Sequence, residues 1–283
     1  MPRSLRPRLL SAAALVPVLL LTACGEEAVE VGEVASTSVN YVALGDSYAA
    51  MGSRSAALDE PPFCLRSADN YPSLVTADQT TDVSCQGAVV ETVLGPRPTD
   101  GATLPPQVDA LTPETTLVTL SVGGNDIGFG DISACILRAA DSGQPTDCAA
   151  ELEELIRAEL AALPGELDEL YRVIGERSPE AEVVATGYLP LVAAGVECPE
   201  LSIVTPADRD WAAGLTAEIN AVVEESAERN GAAFILPAGA GDHTVCAAPE
   251  QRWADITGMA TDAYPMHPTA AGQAAMARAI NER

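Results

Sequence analysis

The chain contains no lysine: all 15 of its basic residues are arginine, against 41 acidic ones. Without lysine there can be no phosphate-binding G-x-x-x-x-G-K-[ST] loop. The formal charge of −26 argues against nucleic acid or an anionic membrane face as a specific partner, because both would repel the protein. Histidine is almost as scarce, with only His243 and His267, and neither stands in an H-E-x-x-H motif. No two of the seven cysteines have C-x-x-C spacing, which leaves a structural zinc site little support. The nucleophile elbow G-x-S-x-G is missing too. No internal repeat, low-complexity tract or interdomain linker divides the chain.

The amino terminus carries an export signal. Arg3, Arg6 and Arg8 precede an apolar stretch from Leu9 to Leu21 that is too short to span a membrane comfortably. It closes in Leu21-Thr22-Ala23-Cys24, which resembles the lipobox of bacterial lipoproteins. Residues 1–23 therefore read as a cleaved signal and Cys24 as a lipidated new terminus. An uncleaved apolar helix is the competing reading. Residues 24–39, with four glutamates and no aromatic residue, read as an acidic tether. Residues 40–283 then form a single domain, and removing the signal takes the charge from −26 to −29. The expected location is the outer face of the bacterial cell membrane, reached through lipid on Cys24, with possible shedding; a monomer is the default.

Apart from Cys24 there are six cysteines, an even number that suits an exported domain. Six cysteines allow 15 pairings. The sequential set, Cys64–Cys85, Cys135–Cys148 and Cys198–Cys246, is the economical one because it closes local loops.

Strand patterns recur at Tyr41–Leu44, Leu117–Val122, Glu182–Tyr188 and Ala233–Leu236. Helical patterns lie between them, the strongest from Cys148 to Gly175, with leucines at 3.6 spacing and a break or kink expected at Pro164-Gly165. Further helices are expected over Pro206 to Asn230 and after His267-Pro268. Alternating strands and helices predict a parallel three-layer α/β sheet.

Four segments carry residues suited to acyl transfer. Gly45-Asp46-Ser47 puts a serine at the carboxyl end of the first strand, where open α/β sheets bind ligands. A serine nucleophile needs a base, and His267, on a loop fixed by Pro268, is placed for it better than His243 in a cysteine-anchored loop. Gly87 offers an unhindered backbone N–H, and Asn125 in Gly123-Gly124-Asn125-Asp126 a side-chain amide, as donors to an oxyanion. Each alone is ordinary turn material. Asp46 reads as a cap on backbone N–H groups that holds Ser47 in place, and Trp253 as loop packing.

Taken in order, Gly45-Asp46-Ser47, Gly87, Gly123-Gly124-Asn125-Asp126 and His267-Pro268 resemble the four blocks of the SGNH (GDSL-type) hydrolases. Asn70-Tyr71-Pro72, Cys85-x-Gly87-Ala88, Gly124 to Phe129 and the six cysteines are similar to the secreted actinobacterial esterase/lipase branch, in which three sequential disulfides are typical. The resemblance implies a flavodoxin-like α/β/α sandwich with a central parallel sheet. It also implies carboxylic-ester hydrolysis through an acyl-enzyme on Ser47, with His267 as general base and Ser47 N–H, Gly87 N–H and the Asn125 amide as the oxyanion hole. Acyl esters, lipids among them, are the implied substrates, and neither a metal nor an organic cofactor is required. One position departs from the family pattern D-x-x-H: Tyr264 stands where the aspartate would be, and Asp262 is the nearest upstream acid. The main-chain carbonyl of Tyr264 is the expected orienter of His267, with the Asp262 carboxylate as alternative. Two other activities use the same residues or the same fold: removal of acetyl groups from carbohydrate, and ligand binding without turnover.

Overall fold

A computed structural model describes residues 38–59 and 61–283. The expected signal, Cys24 and all but the last two residues of the tether lie outside the described residues.

β1 (Asn40–Gly45) is buried from Tyr41 onward, as a strand covered on both faces must be. It leads into α1 (Ser47–Ala50), then α2 (Tyr71–Leu74), β2 (Gln79–Asp82) and α3 (Val90–Leu94). A small antiparallel hairpin follows, β3 (Arg97–Thr99) and β4 (Ala102–Leu104). Next come β5 (Leu117–Ser121), α4 (Phe129–Ser142), α5 (Cys148–Arg177), β6 (Glu182–Thr186), α6 (Pro206–Arg229) and β7 (Ala233–Ile235). A two-residue antiparallel pair, β8 (Ala254–Asp255) and β9 (His267–Pro268), precedes α7 (Ala270–Asn281).

The main sheet has five parallel strands in the order β2-β1-β5-β6-β7. That is the doubly wound, flavodoxin-like order, with its topological switch between the first strand and its neighbour β5. Right-handed crossovers put the helices between β1 and β2 on one face and those between β2 and β7 on the other, and α7 returns to the first. Accordingly α3, α4 and α6 each pack with α5, whereas α2 packs with α1 and α7. The expected three-layer α/β/α sandwich is what the chain forms, and the three sequential disulfides are present.

One local expectation changes, and two elements appear that the sequence pattern does not mark. Pro164 lies inside a continuous α5 rather than ending a helix there. Its missing N–H costs about 3 kcal/mol, which is offset by an unbroken buried stripe through Leu152, Ile156, Leu160, Leu163, Leu167, Leu170 and Ile174. β2 carries no apolar periodicity, because Gln79, Thr80 and Thr81 are exposed at the sheet edge and backbone pairing with β1 alone defines the strand. α4 is bracketed by glycines in left-handed conformation, Gly128 at φ 91° and Gly143 at φ 63°. Gly143 ends the helix in the left-handed conformation that glycine adopts without strain.

Candidate active site

Ser47 reaches the switch point because three contacts fix the end of β1. Buried Gln107 accepts from Gly45 N at 2.7 Å and donates from Nε2 to Gly45 O at 2.9 Å. Cys85 N donates to the same carbonyl at 2.9 Å, and Asp46 N donates to Ser121 O on β5 at 2.8 Å. A side chain at Gly45 would stand 2.6 Å from Ser121 O, at φ 152°, so only glycine allows this approach. Asp46 caps α1 as expected: Oδ1 accepts from Tyr48 N at 2.8 Å.

The other Asp46 oxygen makes a contact that the sequence does not announce. Tyr188, just past β6, donates its hydroxyl to Oδ2 at 2.7 Å and accepts from Gly124 N at 2.7 Å. The cap beside Ser47 and the glycine beside Asn125 are thereby joined through one buried phenol. Tyr188 is itself held by Asn220, which accepts from Tyr188 N and donates to Tyr188 O. Burial pushes the Asp46 carboxyl up to about 7, against the pull of the bonds from Tyr188, Tyr48 N and Ser121.

His267 lies against the Ser47 hydroxyl. Its Nε2 lies 2.7 Å from Ser47 Oγ and its Nδ1 lies 2.7 Å from Pro265 O. A carbonyl can only accept, so Nδ1 carries the hydrogen and Nε2 presents its lone pair to the hydroxyl. Tyr48 and Phe129 flank the ring, with centroids 5.7 and 5.8 Å away. Burial pulls the His267 pKa down to about 4, only partly countered by Pro265.

The orienting group differs from both expectations. Tyr264 O is used by the turn itself, accepting His267 N at 3.2 Å. Met266, at φ 63°, bends the chain by one left-handed residue, and the next carbonyl, that of Pro265, faces the ring instead. The Asp262 carboxylate turns away, accepting from Ser55 N at 3.0 Å and lying 3.6 Å from Arg54 Nε. Those contacts hold its pKa below the usual carboxylate value.

Gly87 is the third residue of a turn closed by Ala88 N donating to Cys85 O at 3.1 Å, and its φ of 65° requires glycine. Asn125 Nδ2 donates to Ala88 O at 2.9 Å, tying that turn to the loop after β5 and leaving one amide hydrogen free. Neither Ser47 N–H nor Gly87 N–H has a protein acceptor among the described residues. His243 stands elsewhere, stacked on Trp253 at 4.0 Å with Nδ1 on Gln251 O, as loop packing.

An apolar cleft opens beside this group. Tyr48, Phe129 and Met266 line it next to His267, and Ile132, Leu191 and Trp211 line it farther away. Ser47, His267, Gly87 and Asn125 thus stand together, and Gln107, Tyr188 and Pro265 are the partners that sequence reasoning missed.

The chain matches the model of the GDSL-like lipase/acylhydrolase family over residues 43–275. It is 33% identical to Lipase 2 of Streptomyces coelicolor over 86% of this chain and 85% of that one. To a lipase of Streptomyces rimosus it is 32% identical over 93% and 92%. Among solved structures, phospholipase A1 from Streptomyces albidoflavus superposes with a TM-score of 0.70 at 29% identity, covering 87% of this chain and 99% of that one. The extracellular lipase of Streptomyces rimosus gives the same score and identity over 86% and 99%.

Proposed function

The chain belongs to the GDSL-like lipase/acylhydrolase family and is an ester hydrolase, and from that premise we propose that it works through an acyl-enzyme on Ser47. The observation that carries the proposal is the 2.7 Å contact between Ser47 Oγ and the unprotonated Nε2 of His267. His267 takes the hydroxyl proton as Oγ attacks the ester carbonyl, then gives it to the departing alcohol. Water follows by the same route and releases the acid. Pro265 O holds the tautomer as an aspartate would, but supplies no full charge to the imidazolium. The tetrahedral oxyanion is received by Ser47 N–H, Gly87 N–H and the free hydrogen of the Asn125 amide.

The apolar cleft supports a substrate with a hydrocarbon acyl chain lying past Tyr48 and Phe129. Lipid esters fit this, and the named relatives are lipases and a phospholipase A1. The test is labelling of the disulfide-intact domain with a fluorophosphonate probe, mapped by mass spectrometry. A single adduct on Ser47 that is absent from His267→Ala supports the site; folded protein without an adduct refutes it.

Two predictions follow from the geometry around His267. Only neutral imidazole can accept the Ser47 proton, so activity is lost as pH falls through the His267 pKa. With that pKa near 4, kcat/KM should hold to about pH 5, whereas an ordinary histidine near 6.5 would already be mostly protonated there. An acid limb centred near 6.5 that persists in Asp46→Asn, which removes a buried acid titrating near that pH, would refute this. Asp262→Ala should leave kcat within about two-fold, because the variant removes only an exposed pair with Arg54 and a loop bond. A steady-state loss of ten-fold or more would return Asp262 to the catalytic group.

Lipid on Cys24, a monomeric state and attachment to the outer face of the membrane complete the proposal. The lipid and the attachment rest on the lipobox-like Leu21-Thr22-Ala23-Cys24, and the monomer is the default. Expressed in a bacterial host, Cys24→Ser should shift the protein from the membrane fraction to the soluble one. Equal partition of both forms would refute the anchor.

A further inference from the structure

Arg97 is anomalous in so acidic a chain. It has no carboxylate partner among the described residues, although acidic groups outnumber basic ones 41 to 15. Its guanidinium instead lies over the Phe63 ring, 4.9 Å from the centroid, and Nη1 donates to the Gln86 carbonyl at 2.6 Å. Nη2 lies so close to Gly87 that a Cβ there would meet it at 2.9 Å.

The peptide so gripped is the central one of the Cys85–Ala88 turn. Gln86 is not among the residues of positive φ and Gly87 is at 65°, which is the type II pattern. Types I and II differ chiefly by a flip of that central peptide, and glycine in the third position tolerates either orientation. The flip decides where Gly87 N–H points, because carbonyl and N–H face opposite ways across a planar trans peptide. A charge-assisted bond on the carbonyl also polarises the unit and strengthens its N–H as a donor.

We propose that Arg97 is a positioning residue for the oxyanion hole: it holds the Gln86–Gly87 peptide in the type II orientation and so presents Gly87 N–H to the developing oxyanion. The inference rests on the reading of Gly87 as an oxyanion donor. No bond to Arg97 forms or breaks during turnover, and no proton passes through it. Its effect is on the transition state, where the oxyanion forms, and not on binding of the neutral ester.

The test compares Arg97→Ala, Arg97→Gln and Arg97→Lys with the unaltered protein on a p-nitrophenyl ester. An alkylboronic acid serves as the tetrahedral mimic. Losing a whole oxyanion donor costs about 10²- to 10³-fold, so a donor left free to flip should cost less. Arg97→Ala is expected to lower kcat about 10- to 50-fold and boronic-acid affinity by a similar factor, with KM within about two-fold. Guanidinium at tens of millimolar should restore several-fold of the loss, and Arg97→Lys should retain most of the activity. Those last two results separate positioning from a merely structural role. If Arg97→Ala does not fold, Arg97→Gln decides, since it keeps only a neutral donor and should bind the boronic acid more weakly than Arg97→Lys and the unaltered protein. Boronic-acid affinity and kcat unchanged in the folded variants, with Asn125→Ala still impaired, would overturn the role of Arg97. Activity that survives Ser47→Ala and Asn125→Ala would overturn the reading of the site itself.

Discussion

Ser47→Ala is expected to lower kcat by about 10⁴-fold or more, His267→Ala to do nearly the same, and the double variant to lose little beyond either. The two act as one unit. Ser47 Oγ–H is a poor nucleophile until Nε2 takes its proton across 2.7 Å, and a neutral imidazole with no hydroxyl to activate has nothing to do. Ser47→Ala should bind ester normally, because what remains of the cleft and the donors is unchanged. The measurement is kcat and KM for the four proteins, with substrate affinity of Ser47→Ala taken by calorimetry. Additive losses, multiplying in the double variant, would mean that the residues act in separate steps and would refute the dyad. Residual activity in Ser47→Ala above about 1% of the original would show that another group attacks the ester.

The fold and this pair were legible in the sequence for the same reason: each rests on residue types in a fixed order. β1 is buried from Tyr41 onward and β5 throughout, with mostly apolar side chains, and α5 keeps its leucine stripe. Ser47 and His267, 220 positions apart, are singled out because only two histidines exist and one directly precedes Pro268 and the last helix. What stayed hidden acts through groups that have no type. Every residue owns a carbonyl, so the use of Pro265 O rather than Tyr264 O turns on the φ of Met266. Gln107 and Tyr188 hold Gly45 and Asp46 from 62 and 142 positions away, a pairing created by tertiary packing alone. β2 was invisible because an exposed edge strand needs no apolar face.

The second large effect expected is at Asn125. One of its two amide hydrogens is committed to Ala88 O at 2.9 Å, and the other is the proposed third donor to the oxyanion. Asn125→Ala should lower kcat about 10²- to 10³-fold, or about 2.7–4 kcal/mol of transition-state stabilisation, with KM little changed. Part of that loss should come indirectly, because the same substitution releases the Cys85–Ala88 turn and with it Gly87 N–H. Asn125→Asp separates the contributions by sign. A carboxylate can donate to neither Ala88 O nor the oxyanion and adds a like charge beside the forming alkoxide. It should therefore be worse than alanine, and more so as pH rises and the carboxylate ionises. Neighbouring Asp126, whose carboxyl burial lifts to about 6, would raise the pKa of the new acid further. The difference between the two variants should then narrow in mildly acid buffer, where an acid group is neutral and can donate. If Asn125→Asp matched alanine at every pH, the side chain would not face developing negative charge, and the oxyanion would have only the two backbone donors.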